Sequence, residues 1–226
     1  MLSKLLWLPR RRREISKKHY AMVAGSGFLV WLGGLAAAAG GVLWSIKALI
    51  DTAGGPLCAP LWPAKSPDYL FVVVQLLFLA GIAGLYARYQ DGLEGSEEES
   101  EGGVAFALSA VGVVASCVGL LGLLASEVAW FVFGVGCAVE CIGLMALGAA
   151  ASRAQVRTLP HYWSVLPFVI GLLGIFSFPL GVPPDGVIET CLTVTLRTLF
   201  GLGWILVGYH LYFFSQRGKE AYSGSQ

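Results

Sequence analysis

Residues 187–214 read VIETCLTVTLRTLFGLGWILVGYHLYFF, and this stretch decides the fold class. It is long and apolar enough to cross a bilayer, because about 20 apolar residues span the hydrocarbon core as a helix. The same stretch carries Glu189, Thr193 and Arg197. Charged side chains inside a membrane are costly, so they face the interior of a helix bundle and pair there. The stretch therefore predicts a transmembrane helix that packs its polar face against other helices.

The rest of the chain has the composition of a membrane protein. Of its 226 residues, 56% are hydrophobic and 13% are charged, whereas soluble domains contain about 25% charged residues. Five further apolar stretches accompany the one quoted above. We predict an all-α fold, an integral membrane bundle of six transmembrane helices. The predicted spans cover residues 21–49, 69–89, 104–124, 128–151, 162–180 and 187–214.

The basic residues predict the orientation of these spans. Seven of the fifteen Lys and Arg residues lie before residue 20. If the N-terminus is inside, the inner segments hold twelve basic residues and the outer segments hold two. Inner loops of membrane proteins are enriched in Lys and Arg. We therefore predict that both termini are cytoplasmic.

Three segments flank the spans. Residues 1–20 are predicted to form a basic interfacial segment that attracts anionic lipids, or a solvated tail that only sets the topology. Residues 91–103 are acidic and rich in Gly and Ser, which predicts a solvated, disordered loop; the alternative is a docking site for a basic partner. Residues 215–226 form a polar tail.

Glu140 and Arg197 are predicted to form a pair inside the membrane. Counted from the outer ends of the fourth and sixth spans, Glu140 lies about twelve residues in and Arg197 about ten. A rise of 1.5 Å per residue then brings them to within ~3 Å of the same depth. Glu189 and Thr193 accompany Arg197 on its helix. In the competing interpretation Arg197 pairs with Glu189 and threonine hydroxyls, and Glu140 is protonated.

Such a pair has two interpretations. It is either a clamp that fixes the register of two helices or a site of proton- or ion-coupled transport. The clamp is slightly favoured, because no second carboxylate accompanies Glu140 within the membrane. A transporter should have a polar cavity that reaches Glu140. An accessory subunit should have a dry core and a broad exposed stripe of Gly and Ala on the first or third span. In the first span, Gly33, Ala37 and Gly41 recur at four-residue spacing, which lets a neighbouring helix approach closely.

Histidines and cysteines suggest two further sites. His19, His161 and His210 all fall at the predicted cytoplasmic boundary beside tyrosines. They could bind a metal if spans one, five and six are neighbours; otherwise they are interfacial anchors. Cys58 and Cys191 could form an extracytoplasmic disulfide, unless Cys191 lies too deep in the membrane.

Catalytic patterns are missing from the sequence. It contains no HExxH and no GxSxG motif, and no Gly-rich nucleotide-binding loop follows a strand. We predict no enzymatic activity and no cofactor. Nucleic-acid binding is not expected either, because the one basic cluster adjoins the membrane.

Residues 159–181, LPHYWSVLPFVIGLLGIFSFPLG, and residues 201–212, GLGWILVGYHLY, resemble small six-span bacterial membrane proteins of unknown function. The resemblance implies a bacterial inner-membrane location and brings no activity or site residues. Two functions remain open at this point. One is a small transporter or channel that works as a homodimer, with Glu140 and Arg197 at its centre. The other is a non-catalytic accessory or assembly subunit of a larger membrane complex.

Overall fold

A computed structural model describes residues 8–53, 69–93, 97–122, 128–154, 161–177 and 187–223. The prediction of an all-α fold is confirmed for these residues, which form six helices. The helices are α1 Leu8–Ala53, α2 Tyr69–Leu93, α3 Glu99–Gly122, α4 Ala129–Arg153, α5 His161–Ser177 and α6 Val187–Ser223.

Five of the helices contain a segment that is long and apolar enough to cross a membrane. These segments are Gly27–Leu49, Tyr69–Gln90, Glu99–Gly122, Ala129–Arg153 and Val194–Phe213. They indicate a multi-pass membrane protein. The apolar part of α5, Trp163–Ser177, is shorter. The described α5 helix has 17 residues and is about 25 Å long, and a sixth span stays a prediction.

The helices form a closed ring in which each packs against its neighbours in sequence and α1 packs against α6. Within the ring, α2 also packs against α4 and α6. Neighbouring helices run antiparallel, as the contacts of Gly34 with Gly208 and of Gly41 with Gly201 illustrate for α1 and α6. The start of α1 and the end of α6 therefore lie at one end of the bundle. We call this the near end, and the opposite end the far end.

The seam between α3 and α4 is packed backbone to backbone. At four successive levels a glycine of one helix lies against the backbone of the other. The pairs are Gly119 with Phe133, Gly136 with Ser116, Gly112 with Glu140, and Gly143 with Ser109. A Cβ on Gly143 would lie 2.5 Å from Ser109 N, which is closer than real Cβ atoms approach. The seam therefore requires glycine at these levels.

The small-residue stripe of the first span is buried rather than exposed. Gly33 lies against Gly84 of α2, and Gly41 lies against Gly201 of α6. The exposed faces of α1 and α3 carry mostly large aliphatic side chains. They include Leu29, Leu32, Leu35, Val42 and Ile46 on α1, and Val104, Leu108, Val111, Val114 and Val118 on α3. These faces suit contact with lipid.

The helices extend further than the sequence suggested. The part of the basic segment from Leu8 to Tyr20 belongs to the same continuous helix as the first span, because no proline interrupts the chain between Pro9 and Pro56. The predicted disordered loop over 91–103 is wrong at both edges: α2 continues to Leu93 and α3 begins at Glu99. Acidic residues stabilise the first turn of a helix through its dipole, which accounts for the early start of α3 with Glu99 and Glu101.

Aromatic rings fill the core toward the far end. The indole of Trp44 makes edge contacts with Phe71 and Phe200, at centroid distances of 4.8 and 5.3 Å. Phe78 stacks on Trp204 at 4.5 Å. Edge and offset contacts of this kind are favourable for aromatic pairs. The cluster ties α1, α2 and α6 together.

Candidate functional site

Glu140 lies in the middle of α4, eleven residues after its start at Ala129 and thirteen before its end at Arg153. Its exposed fraction is 1%. Neither carboxylate oxygen has a hydrogen-bond partner among the described residues. An isolated buried carboxylate is costly, because it has lost its hydration and gained no compensating interaction. Glu140 is therefore the residue that most needs a functional explanation.

Small residues and thiols surround this carboxyl group. Gly112 of α3 lies against the Glu140 backbone. The thiols of Cys117, Cys137 and Cys141 are close enough to interact electrostatically with the carboxylate. Cys117 lies on α3, whereas the other two lie within one helical turn of Glu140 on α4. The carboxyl group thus faces weakly polar neighbours.

A polar contact from α2 reaches the same region. Gln75 Nε2 donates to Cys137 Sγ at 3.9 Å, and Ser116 Oγ donates to the same sulfur at 3.4 Å. Gln75 is fully buried, and its Oε1 has no hydrogen-bond partner among the described residues. The sequence indicates Gln75 only as the strongly polar residue inside the second span. Its position against Cys137, one helical turn from Glu140, depends on helix register, which the sequence does not specify.

Arg197 does not pair with Glu140. Its Nε donates to the Ser177 carbonyl oxygen at 3.4 Å, and its own carbonyl accepts a hydrogen bond from Trp44 Nε1 at 3.0 Å. Ser177 is the last described residue of α5, and a positive charge near the C-terminal end of a helix is favourable. The arginine therefore acts at the C-terminus of α5.

The predicted pair is not formed among the described contacts. Arg197 reaches the end of α5, and both carboxylate oxygens of Glu140 lack a hydrogen-bond partner in the described part of the chain. The side chains of Glu189 and Thr193 lie outside the described part of the structure, so the competing interpretation stays a prediction.

No protein family, curated protein or solved structure matches this chain. The site is therefore interpreted from its own geometry.

The three histidines are only partly described. His210 is buried, and its ring stacks on Trp163 at a centroid distance of 4.1 Å. The backbones of His19 and His161 lie in α1 and α5, whereas their side chains lie outside the described part. Within that part, no group of three or more His, Cys, Asp and Glu residues could hold a metal ion. The histidine metal site stays a prediction.

The two cysteines of the predicted disulfide differ in how far they are described. Cys191 is exposed in α6 and its thiol is free. Cys58 lies outside the described residues. The disulfide between them stays a prediction.

Proposed function

We propose that this protein is a small membrane transporter or channel in which Glu140 binds and releases the transported or coupling ion. The supporting observation is the buried carboxyl group of Glu140 in the middle of α4, whose oxygens have no hydrogen-bond partner among the described residues. Ionisable side chains inside a membrane characteristically belong to ion pathways and proton relays. We further propose a cell-membrane location, and the twelve basic residues of the predicted inner segments favour cytoplasmic termini.

The clamp interpretation is not favoured, because Glu140 has no hydrogen bond to Arg197 among the described contacts. A clamp between α4 and α6 requires Glu140 to contact Arg197, yet Arg197 hydrogen-bonds to the end of α5. A buried leucine would stabilise α4 at lower cost than an isolated carboxyl group. An ion-binding role explains why a carboxyl group is buried at this position without a partner.

The accessory-subunit alternative lacks the surface that would favour it. Close packing onto a larger complex needs an exposed stripe of small residues. On the described faces of α1 and α3, the small residues are mostly buried against neighbouring helices, and the exposed positions are mainly Val, Leu and Ile.

Proton flux into proteoliposomes tests the proposal. The purified protein is reconstituted with a pH-sensitive dye inside, and an inward pH gradient or a membrane potential is imposed. We expect Glu140→Gln to remove the flux while the variant keeps its thermal stability and gel-filtration profile, because the amide has nearly the same shape. Glu101→Gln is the matched control, since Glu101 is an exposed carboxylate, and it should retain the flux.

Two results would contradict this function. One is equal flux in the wild-type protein and Glu140→Gln. The other is wild-type flux no greater than that of empty liposomes under a proton or an alkali-cation gradient.

A further inference from the structure

Three buried oxygen atoms on two neighbouring helices lack a hydrogen-bond donor among the described residues. They are Gln75 Oε1 on α2 and both carboxylate oxygens of Glu140 on α4. Buried acceptors are nearly always satisfied in folded proteins. A hydrogen-bond donor or a cation would satisfy these three oxygen atoms. The expected ligand is therefore a proton, a donor group or a cation.

Gln75 and Glu140 face the same junction. Gln75 Nε2 contacts Cys137 Sγ, and Cys137 precedes Glu140 by three residues, which places both on one face of α4. α2 packs directly against α4. From α3, Cys117 lies within electrostatic reach of Glu140. The two residues without donors therefore belong to the junction of α2, α3 and α4.

We propose that the ion bound at Glu140 is a proton and that Gln75 is the positioning residue that accepts its hydrogen bond. This inference rests on the proposed function. A carboxylate only accepts hydrogen bonds, whereas a protonated carboxyl group has one O–H to donate. A single proton therefore supplies the donor that Gln75 Oε1 lacks and removes the uncompensated charge.

A metal ion fits the junction less well. Hard cations such as Ca²⁺ and Mg²⁺ take about six or more oxygen ligands, and soft cations prefer thiolates in sets. No group of metal-ligating residues of sufficient size exists in the described part of the chain.

The neighbours of Glu140 are compatible with proton exchange. The titratable groups near it are the thiols of Cys117 on α3 and of Cys137 and Cys141 on its own helix, which lie within reach of the Glu140 charge. α2 presents the neutral Gln75, and α5 approaches with Gly171, which lies against the Cys141 carbonyl. In the binding step a hydronium ion gives its proton to a Glu140 oxygen and leaves as water. In the release step the O–H bond breaks and the proton returns to water.

Infrared difference spectroscopy of the purified protein in lipid tests this assignment. A protonated carboxyl group has a C=O stretching band, which Glu140→Gln should remove. We expect Gln75→Leu to shift this band to higher frequency, because a hydrogen bond to the carboxyl O–H is lost, and to reduce proton flux about tenfold. Gln90→Leu, an exposed glutamine on the same helix, should leave both unchanged. Gln75→Met serves as a second variant if Gln75→Leu does not fold.

The outcomes separate this inference from the proposed function. An unshifted Glu140 band in both Gln75 variants would overturn the role of Gln75, even if Glu140→Gln still removed the flux. A flux that requires Na⁺, with no Glu140 band at any pH, would overturn the proton and leave Glu140 as a cation site. If the band shifts as expected but no flux is found, Gln75 accepts the hydrogen bond of protonated Glu140 and the transport function fails.

Discussion

Gly112 of α3 lies directly against the backbone of Glu140 of α4. A Cβ at position 112 would meet the Glu140 N and Cα atoms, so only glycine allows α3 and α4 to approach this closely. Because α3 and α4 pack this closely, the middle of α4 lies in the core and the Glu140 carboxyl group is buried. The position of the buried Glu140 carboxyl group thus depends on Gly112 of the facing helix.

The first prediction concerns this contact. Gly112→Ala should destabilise the protein by about 1–3 kcal/mol, because the extra methyl group forces two backbones apart. Denaturant unfolding in detergent, followed by circular dichroism, measures the change. Gly134→Ala is the matched control on α4, where an added Cβ meets nothing within 4 Å; it should be neutral or slightly stabilising. Similar losses in both variants would refute the backbone contact.

The second prediction tests whether Glu140 and Arg197 interact. In a double-mutant cycle of Glu140→Gln and Arg197→Met, the two changes in unfolding free energy should add to within about 0.5 kcal/mol. They should do so because Arg197 contacts Ser177, whereas the carboxylate oxygens of Glu140 have no hydrogen-bond partner among the described residues. A coupling energy of about 1 kcal/mol or more would restore the paired interpretation.

The third prediction concerns the end of α5. Arg197→Met should cost about 1 kcal/mol of stability, because the carbonyl of Ser177 loses its donor and the helix dipole loses a favourable charge. Arg197→Lys keeps the charge and should recover part of the loss. Thermal unfolding in detergent distinguishes the two variants. Equal stability of Arg197→Met and the wild-type protein would mean that the contact contributes nothing.

The fourth prediction concerns topology. Cys191 is exposed near the start of α6, at the far end of the bundle from both termini. In intact cells or sealed vesicles, it should react with a membrane-impermeant maleimide only from the side opposite to an N-terminal tag. The experiment uses a Cys58→Ser background, because Cys58 is predicted on the same side, and Cys191→Ser should then remove the labelling. Labelling from the side that carries the tag would contradict the placement of Cys191 at the far end.

The fifth prediction concerns a surface ion pair. Arg153 Nη2 lies 2.5 Å from Glu101 Oε2, and both side chains are exposed. Exposed pairs contribute little because water and salt screen them. Glu101→Gln should therefore change the unfolding free energy by less than about 1 kcal/mol, and the difference should vanish in concentrated salt. A larger loss that persists in salt would indicate a structural role for the pair.

Local hydrophobicity alone determined the class of this protein. Apolar runs of span length predicted every helix to within a few residues at most ends, because burial in lipid requires an unbroken run of apolar residues. The small-residue spacing of Gly33 and Gly41 correctly indicated close helix packing. The acidic composition of residues 91–103 predicts a disordered loop, whereas Glu99 and Glu101 lie in the first turn of α3.

The tertiary structure alone decided which polar residues meet. The sequence predicted that Arg197 meets Glu140, whereas the Arg197 guanidinium contacts the Ser177 carbonyl at the end of α5. It also gave no means of relating Gln75 to Glu140. Both relationships depend on the axial register of packed helices and on where α5 ends. Helix register is set by contacts between residues that are distant in sequence, chiefly those of the glycines in the α3–α4 seam. No local sequence pattern specifies these contacts.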